Sequence, residues 1–168
     1  MINLSSYNLT IGRTASAADW FGPILARGRG AAFVDTGFIT ALIFKDDQYS
    51  RDAQRAFRVS RANFYTTNLV LAEVVRQITK AGNLNASLKN QHFAQCSRIL
   101  VDSEDILVCA PPRDIVITAY SALRESRTIH PSLDLCDLLS LVVLDYAHHR
   151  RVLGFDTHFR SFGAQLEP

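Results

Sequence analysis

Only three cysteines occur in the 168 residues, Cys96, Cys109 and Cys136, an odd number with no CxxC spacing. That excludes a disulfide framework or a cysteine zinc site and points to small buried thiols in a reducing compartment. Long hydrophobic runs are missing too. The longest, 138–144, falls far short of the ~20 residues that a membrane-spanning helix needs. The first thirty residues show no basic stretch followed by an apolar one, so a cytoplasmic location is expected rather than a secretory signal. An excess of one charge is also absent. Eighteen Lys and Arg against 16 Asp and Glu leave a formal net charge of +2, too small to argue for a polyanionic partner by itself.

What remains is an ordinary globular composition, 48% hydrophobic and 20% charged, in a chain long enough for one domain with a real core. Short apolar runs at 31–34, 64–67, 106–109 and 152–155 read as buried strands. Between them, helical spacing predicts helices over 36–44, 52–60, 86–101, 113–124 and 133–149. A further helix runs to Lys80 with Asn68 as its expected N-cap. Pro111 and Pro112 suit the opening of the helix that follows them. Strands alternating with helices imply the α/β class, a parallel sheet covered on both faces. Residues 1–30 carry no clear period and read as an amino-terminal extension, in which Trp20, Phe21 and Ile24 can dock a short amphipathic turn. The domain proper is expected over 31–168.

Four acidic residues lie in or against apolar runs: Asp35 in AAFVDTG, Glu73 in NLVLAEVV, Asp137 in LCDLLSLVVL and Asp156 in VLGFDTHF. An ionised group carried into a packed interior is strongly disfavoured unless it is paired or holds a metal. No Lys or Arg stands in those runs. Asp35 and Asp156 end strands, and ligands of an open parallel sheet bind outside its carboxyl strand ends. Glu73 and Asp137 sit early in helices that hang over the same rim. Hard oxygen donors without a His or Cys constellation favour Mg²⁺ or Mn²⁺ over zinc, a donor set suited to hydrolysis of a phosphodiester. Asp35 can also cap the helix after it, and Thr36 can brace a ligand carboxylate or cap the same helix. Asp134 shares the Asp137 face but, as an early-turn residue, can simply complement the helix dipole. His158 can act as a proton donor near the site, but reads first as a packed or surface side chain. Arg51, Arg55, Arg58 and Arg61 recur at helical spacing and form a stripe that can track a phosphate backbone, or simply a solvated face. Tyr65, Tyr120 and Tyr146 offer no stacking pattern for bases.

Taken in order, ValAspThrGly at 34–37, Glu73 within a helix, LeuCysAspLeuLeuSer at 135–140 and PheAspThrHisPhe at 155–159 resemble the PIN domain family. The resemblance covers about 31–168. It implies a three-layer α/β/α sandwich with a short central parallel sheet, and Asp35, Glu73, Asp137 and Asp156 as a catalytic metal site. It further implies a Mg²⁺- or Mn²⁺-dependent endoribonuclease acting on RNA. Small members of this kind are often the toxins of VapBC-type toxin–antitoxin pairs, homodimeric and silenced by a small antitoxin. The chain departs from the pattern at Gly154, where many relatives carry Thr or Ser. The alternative is a PIN-like RNA-binding or assembly module that does not cleave. A phosphatase of the HAD type would need a second Asp in the motif at 35–37, which is Asp-Thr-Gly.

Overall fold

The computed structural model describes residues 15–28, 30–60, 63–102, 105–126 and 132–167. Five parallel strands form one sheet: β1 (Ala32–Val34), β2 (Phe64–Thr67), β3 (Ile106–Cys109), β4 (Arg151–Leu153) and β5 (Gln165–Glu167). Their spatial order is β3-β2-β1-β4-β5. β1 is central and buried throughout, as a wholly apolar triplet must be when both sheet faces are covered. Phe33 stands opposite Tyr65 on one side and Val152 on the other. From β1 the chain steps outward to β2 and β3, then crosses back past β1 to β4 and β5. The direction of winding reverses between β1 and β4, which opens a crevice at their carboxyl ends.

The first set of connections holds α2 (Thr36–Ile43), α3 (Ser50–Val59), α4 (Asn68–Lys80) and α5 (Ala86–Ser97), packed on one another. The return crossover holds α6 (Arg113–Ser126) and α7 (Leu135–Ala147), also packed together, and α1 (Ala15–Leu25) lies against α7. Right-handed crossovers running in opposite directions place these groups on opposite faces. The result is the expected three-layer α/β/α sandwich. The short α8 (His158–Ser161) joins β4 to β5. No described helix is long and apolar enough to cross a membrane.

Several boundaries move for local reasons. Thr67 rather than Asn68 caps α4, its Oγ1 accepting from Val70 N at 3.3 Å, and Asn68 is the first helical residue. The helix expected over 86–101 ends in a π turn, Arg98–Asp102. α7 starts two residues later than its apolar pattern suggests, because Asp134 caps it. β4 ends at Leu153, two residues early, so Phe155 and Asp156 lie in the loop beyond it. β5 is too short for a period. It is fixed by pairing with β4, and Arg151 holds Glu167 through two hydrogen bonds of 2.7 and 2.9 Å.

α1 is the larger surprise, since its sequence carries no helical period and includes Pro23. Tertiary contact supplies the reason. Phe21 and Ile24 are 3% and 0% exposed, and the Phe21 ring stacks on Tyr146 at 5.0 Å. Phe21→Ala or Ile24→Ala should therefore lower the unfolding free energy by about 2–5 kcal/mol, measured by urea denaturation of the full chain. An unchanged midpoint would show that α1 adds nothing to the core.

Candidate functional site

Asp35 leaves β1 and caps α2, its carboxylate accepting from Gly37 N at 3.3 Å. Its own N–H donates to Leu153 O at 3.0 Å, tying the end of β1 to β4. From the other neighbour, the Thr66 hydroxyl donates to Val34 O at 2.7 Å. The backbone is thus held from both sides, and the side chain is only 6% exposed. Capping and site roles do not compete, because one N–H leaves most of a carboxylate's acceptor capacity unused. Gly154 makes room here. A Cβ at that position would lie 3.2 Å from the Asp35 Cβ, a tight approach that needs a shift of a few tenths of an ångström, and at an ordinary 3.6 Å from its Oδ2.

Asp137 enters from α7 through a capping box. Asp134 Oδ1 accepts from Asp137 N, and Asp137 Oδ2 accepts from Asp134 N, both at 3.0 Å. Asp134 is therefore the N-cap of α7, not a first-turn residue acting on the dipole as its position suggests. Asp156 lies past β4, and its Oδ1 accepts from His158 N at 2.8 Å. Donor atoms of Asp137, Asp156 and His158 all fall within 4.8 Å of one another. His158 Nδ1 is 2.8 Å from Asp156 Oδ1 but lacks hydrogen-bond alignment, leaving a buried ring nitrogen unsatisfied. Ser132 Oγ lies 2.9 Å from its Nε2. Sequence alone gave little reason to add His158, whose only signal is its place two residues after Asp156.

Electrostatics set this group apart. Burial pushes the Asp35 carboxyl up to about 7; Asp137 and Asp156 add to the rise, and the N–H groups of Thr36 and Gly37 oppose it. Burial pushes Asp137 up to about 6, with Asp134 and Asp156 raising it further and His158 opposing. Carboxylates that make one another harder to ionise, beside an unsatisfied ring nitrogen, fit a divalent cation by donor type and by charge.

Glu73 stands apart. Its carboxylate is forked by Arg76, with Nε at 2.7 Å from Oε2 and Nη2 on Oε1, and Gln77 also donates to it. Those bonds hold Glu73 below the usual carboxylate range. Glu73, Arg76, Asp134 and Cys136 line an open cleft of about 370 Å³. Thr36 is buried, its Oγ1 3.7 Å from Cys136 Sγ, and burial pushes that thiol up to about 12. Cys136 is thus half-buried and hydrogen-bonded rather than fully in the core. Arg51, Arg55 and Arg58 are exposed on α3; Arg61 lies outside the described residues.

The raised carboxyls carry a definite sign. Folded values of about 7 and about 6 exceed the unfolded value of roughly 4, so the native state holds these protons more tightly. Without metal, the stability that these two groups contribute is fully present below pH ~4 and is lost as pH rises through both folded values. Asp35→Asn should raise Tm in chelator at pH 8 and change it little near pH 4. Mn²⁺ should stabilise the wild type increasingly from pH 5 to 8, because binding displaces protons. Thermal melts of wild type and variant from pH 4 to 8, with and without Mn²⁺, check both; a Tm difference between them in chelator that does not change with pH would contradict the electrostatics.

Comparison with known proteins places this geometry. Residues 32–164 match the family model of the PIN domain. In fold, the chain is similar to the crystal structure of Mycobacterium tuberculosis VapC20, described as a Sarcin-Ricin loop cleaving toxin. The TM-score is 0.70 at 21% identity, covering 82% of this chain and 100% of that one. A comparison with curated proteins gives no match. With residues 32–164 matched, well over half of its length, the chain belongs to the PIN domain family.

Proposed function

We propose that the protein is a metal-dependent endoribonuclease, the toxin component of a VapBC-type pair. The observation that carries this reading is the buried Asp35 beside Asp137 and Asp156, with two of the three carboxyls pushed upward. Membership of the PIN family and the similarity to a toxin said to cleave the Sarcin-Ricin loop support it. Asp35, Asp137 and Asp156 hold the cation, Mg²⁺ or Mn²⁺, with His158 beside them. When bound, the cation supplies charge for the phosphoryl oxygens and lowers the pKa of the attacking water.

The chain's own groups do the rest. Asp35 is fixed by the β1 and β4 backbones, so its carboxylate needs no reorganisation on binding. A carboxylate not engaged by the cation accepts the proton of the attacking water. Arg51, Arg55 and Arg58 draw the RNA backbone along α3. The fourth acidic residue, Glu73, joins the site when a competing phosphate takes Arg76 from it. A small antitoxin that inserts an Arg among the carboxylates would silence the site by bidentate pairing. A homodimer in the cytoplasm is the assembly and place that fit this reading.

The Glu73–Arg76 fork favours one competing reading, a PIN-like module that binds RNA without cutting it. Cleavage separates the two. Asp35→Asn and Asp137→Asn should each cut RNA cleavage by about 100-fold or more, since even outer-shell partners of metal ligands matter by 10–100-fold. Both variants should keep the wild-type circular dichroism spectrum. The assay is gel analysis of RNA with Mg²⁺ or Mn²⁺ supplied. Equal cleavage by wild type and both variants would remove these carboxylates from the reaction, and none by pure wild type would favour the binding module.

A further inference from the structure

Three aromatic rings form a stack that leads from the carboxylate site to the surface. Phe38, in the first turn of α2 after Asp35, is fully buried. Phe155, the residue before Asp156, lies on it with ring centroids 5.9 Å apart and planes 19° apart. Tyr49 lies on Phe155 at 4.2 Å and 11°. Tyr49 is 40% exposed, and the stack on Phe155 occupies one face of its ring.

The outer ring is also fixed in place. Tyr49 N donates to Asp47 Oδ1 at 2.8 Å, closing the turn that leads into α3. Ser50 begins α3, and Arg51, Arg55 and Arg58 follow on it, all exposed. Asp46 and Asp52 are exposed nearby, so the charge is mixed at the turn and becomes basic along the helix. A rigid, part-exposed aromatic face next to a row of guanidiniums matches what binds single-stranded nucleic acid. Bases stack on the ring while cations follow the phosphates.

We propose that Tyr49 is a stacking platform for an unpaired RNA base, and that the Phe38–Phe155–Tyr49 stack sets this base's distance from the carboxylates. The proposal rests on the ribonuclease reading and deepens it. Tyr49 is a positioning residue in this scheme, remote from the reacting atoms. Stacking is tolerant of base identity, because every base has a π-face, so the platform selects for an unpaired nucleotide more than for a sequence.

The test uses the full chain in chelator, where RNA is not cut, and an unstructured RNA oligonucleotide carrying 2-aminopurine at one position at a time. Wild type should quench the probe at one position. Tyr49→Leu keeps apolar contact with Phe155 but removes the ring. It should abolish the quench and weaken RNA binding about 5-fold or more, with an unchanged thermal melt. Tyr49→Phe restores both quench and affinity. The platform is overturned if Tyr49→Leu quenches and binds like wild type, or if wild type binds with no quench or does not bind at all. Cleavage in Mn²⁺ is scored separately. A Tyr49-dependent quench without cleavage keeps the platform and removes the nuclease, whereas cleavage with a Tyr49-independent quench does the reverse.

Discussion

An ionised Asp35 would be costly where this fold puts it, and most of the surrounding structure bears on that cost. The side chain sits at the end of the most buried strand, with the charges of Asp137 and Asp156 nearby. What opposes the resulting rise is a pair of backbone N–H groups, from Thr36 and Gly37, and not a neighbouring cation. A pair of basic side chains could have relieved the strain, yet the Arg76 fork goes to Glu73. Among the described residues no Lys or Arg pairs with Asp35, Asp137 or Asp156, which leaves a need for positive charge from outside. A divalent cation answers that need better than a proton at neutral pH.

Everything that fixes Asp35 also fixes the crevice. The sheet reverses its winding between β1 and β4, and the Asp35 N–H to Leu153 O bond closes the two strand ends against each other. Thr66 reaches across from β2 to the Val34 carbonyl. The absence of a Cβ at Gly154 lets the Asp35 side chain lie close to the β4 exit. Asp137 is aimed by a cap, so the same bonds that start α7 also orient a carboxylate. Stability and chemistry share these contacts, and the stored cost of the charges falls within an otherwise apolar core, a familiar arrangement in sites that work.

Around this centre the aromatic residues divide into two kinds. Phe21 with Tyr146, and Phe33 with Tyr65, fill space between layers. Phe38, Phe155 and Tyr49 instead form a column that begins beside Asp35 and ends in solvent. The column and α3 start from the same turn, so aromatic surface and guanidinium surface are presented together.

The sequence by itself determined the local alphabet of this protein. Short apolar runs such as AFV and ILVC read as strands because helical periods flank them, and that alternation points to the parallel α/β order. It also marked Asp35, Asp137 and Asp156 as charges in apolar surroundings, because that conflict is visible one residue at a time. Only the tertiary structure decided what partners each charge finds. Glu73 also lies in an apolar run, with a weaker local case than Asp137, and Arg76 one turn away takes it, while Asp137 is turned toward Asp156 by its cap with Asp134. The full length of α1, where only the docking of Phe21 and Ile24 was foreseen, and β5 and the Tyr49 column were illegible for the same reason. Each exists through contacts with residues distant in the chain (Tyr146, Arg151 and Phe155), and local periodicity carries no record of such pairings.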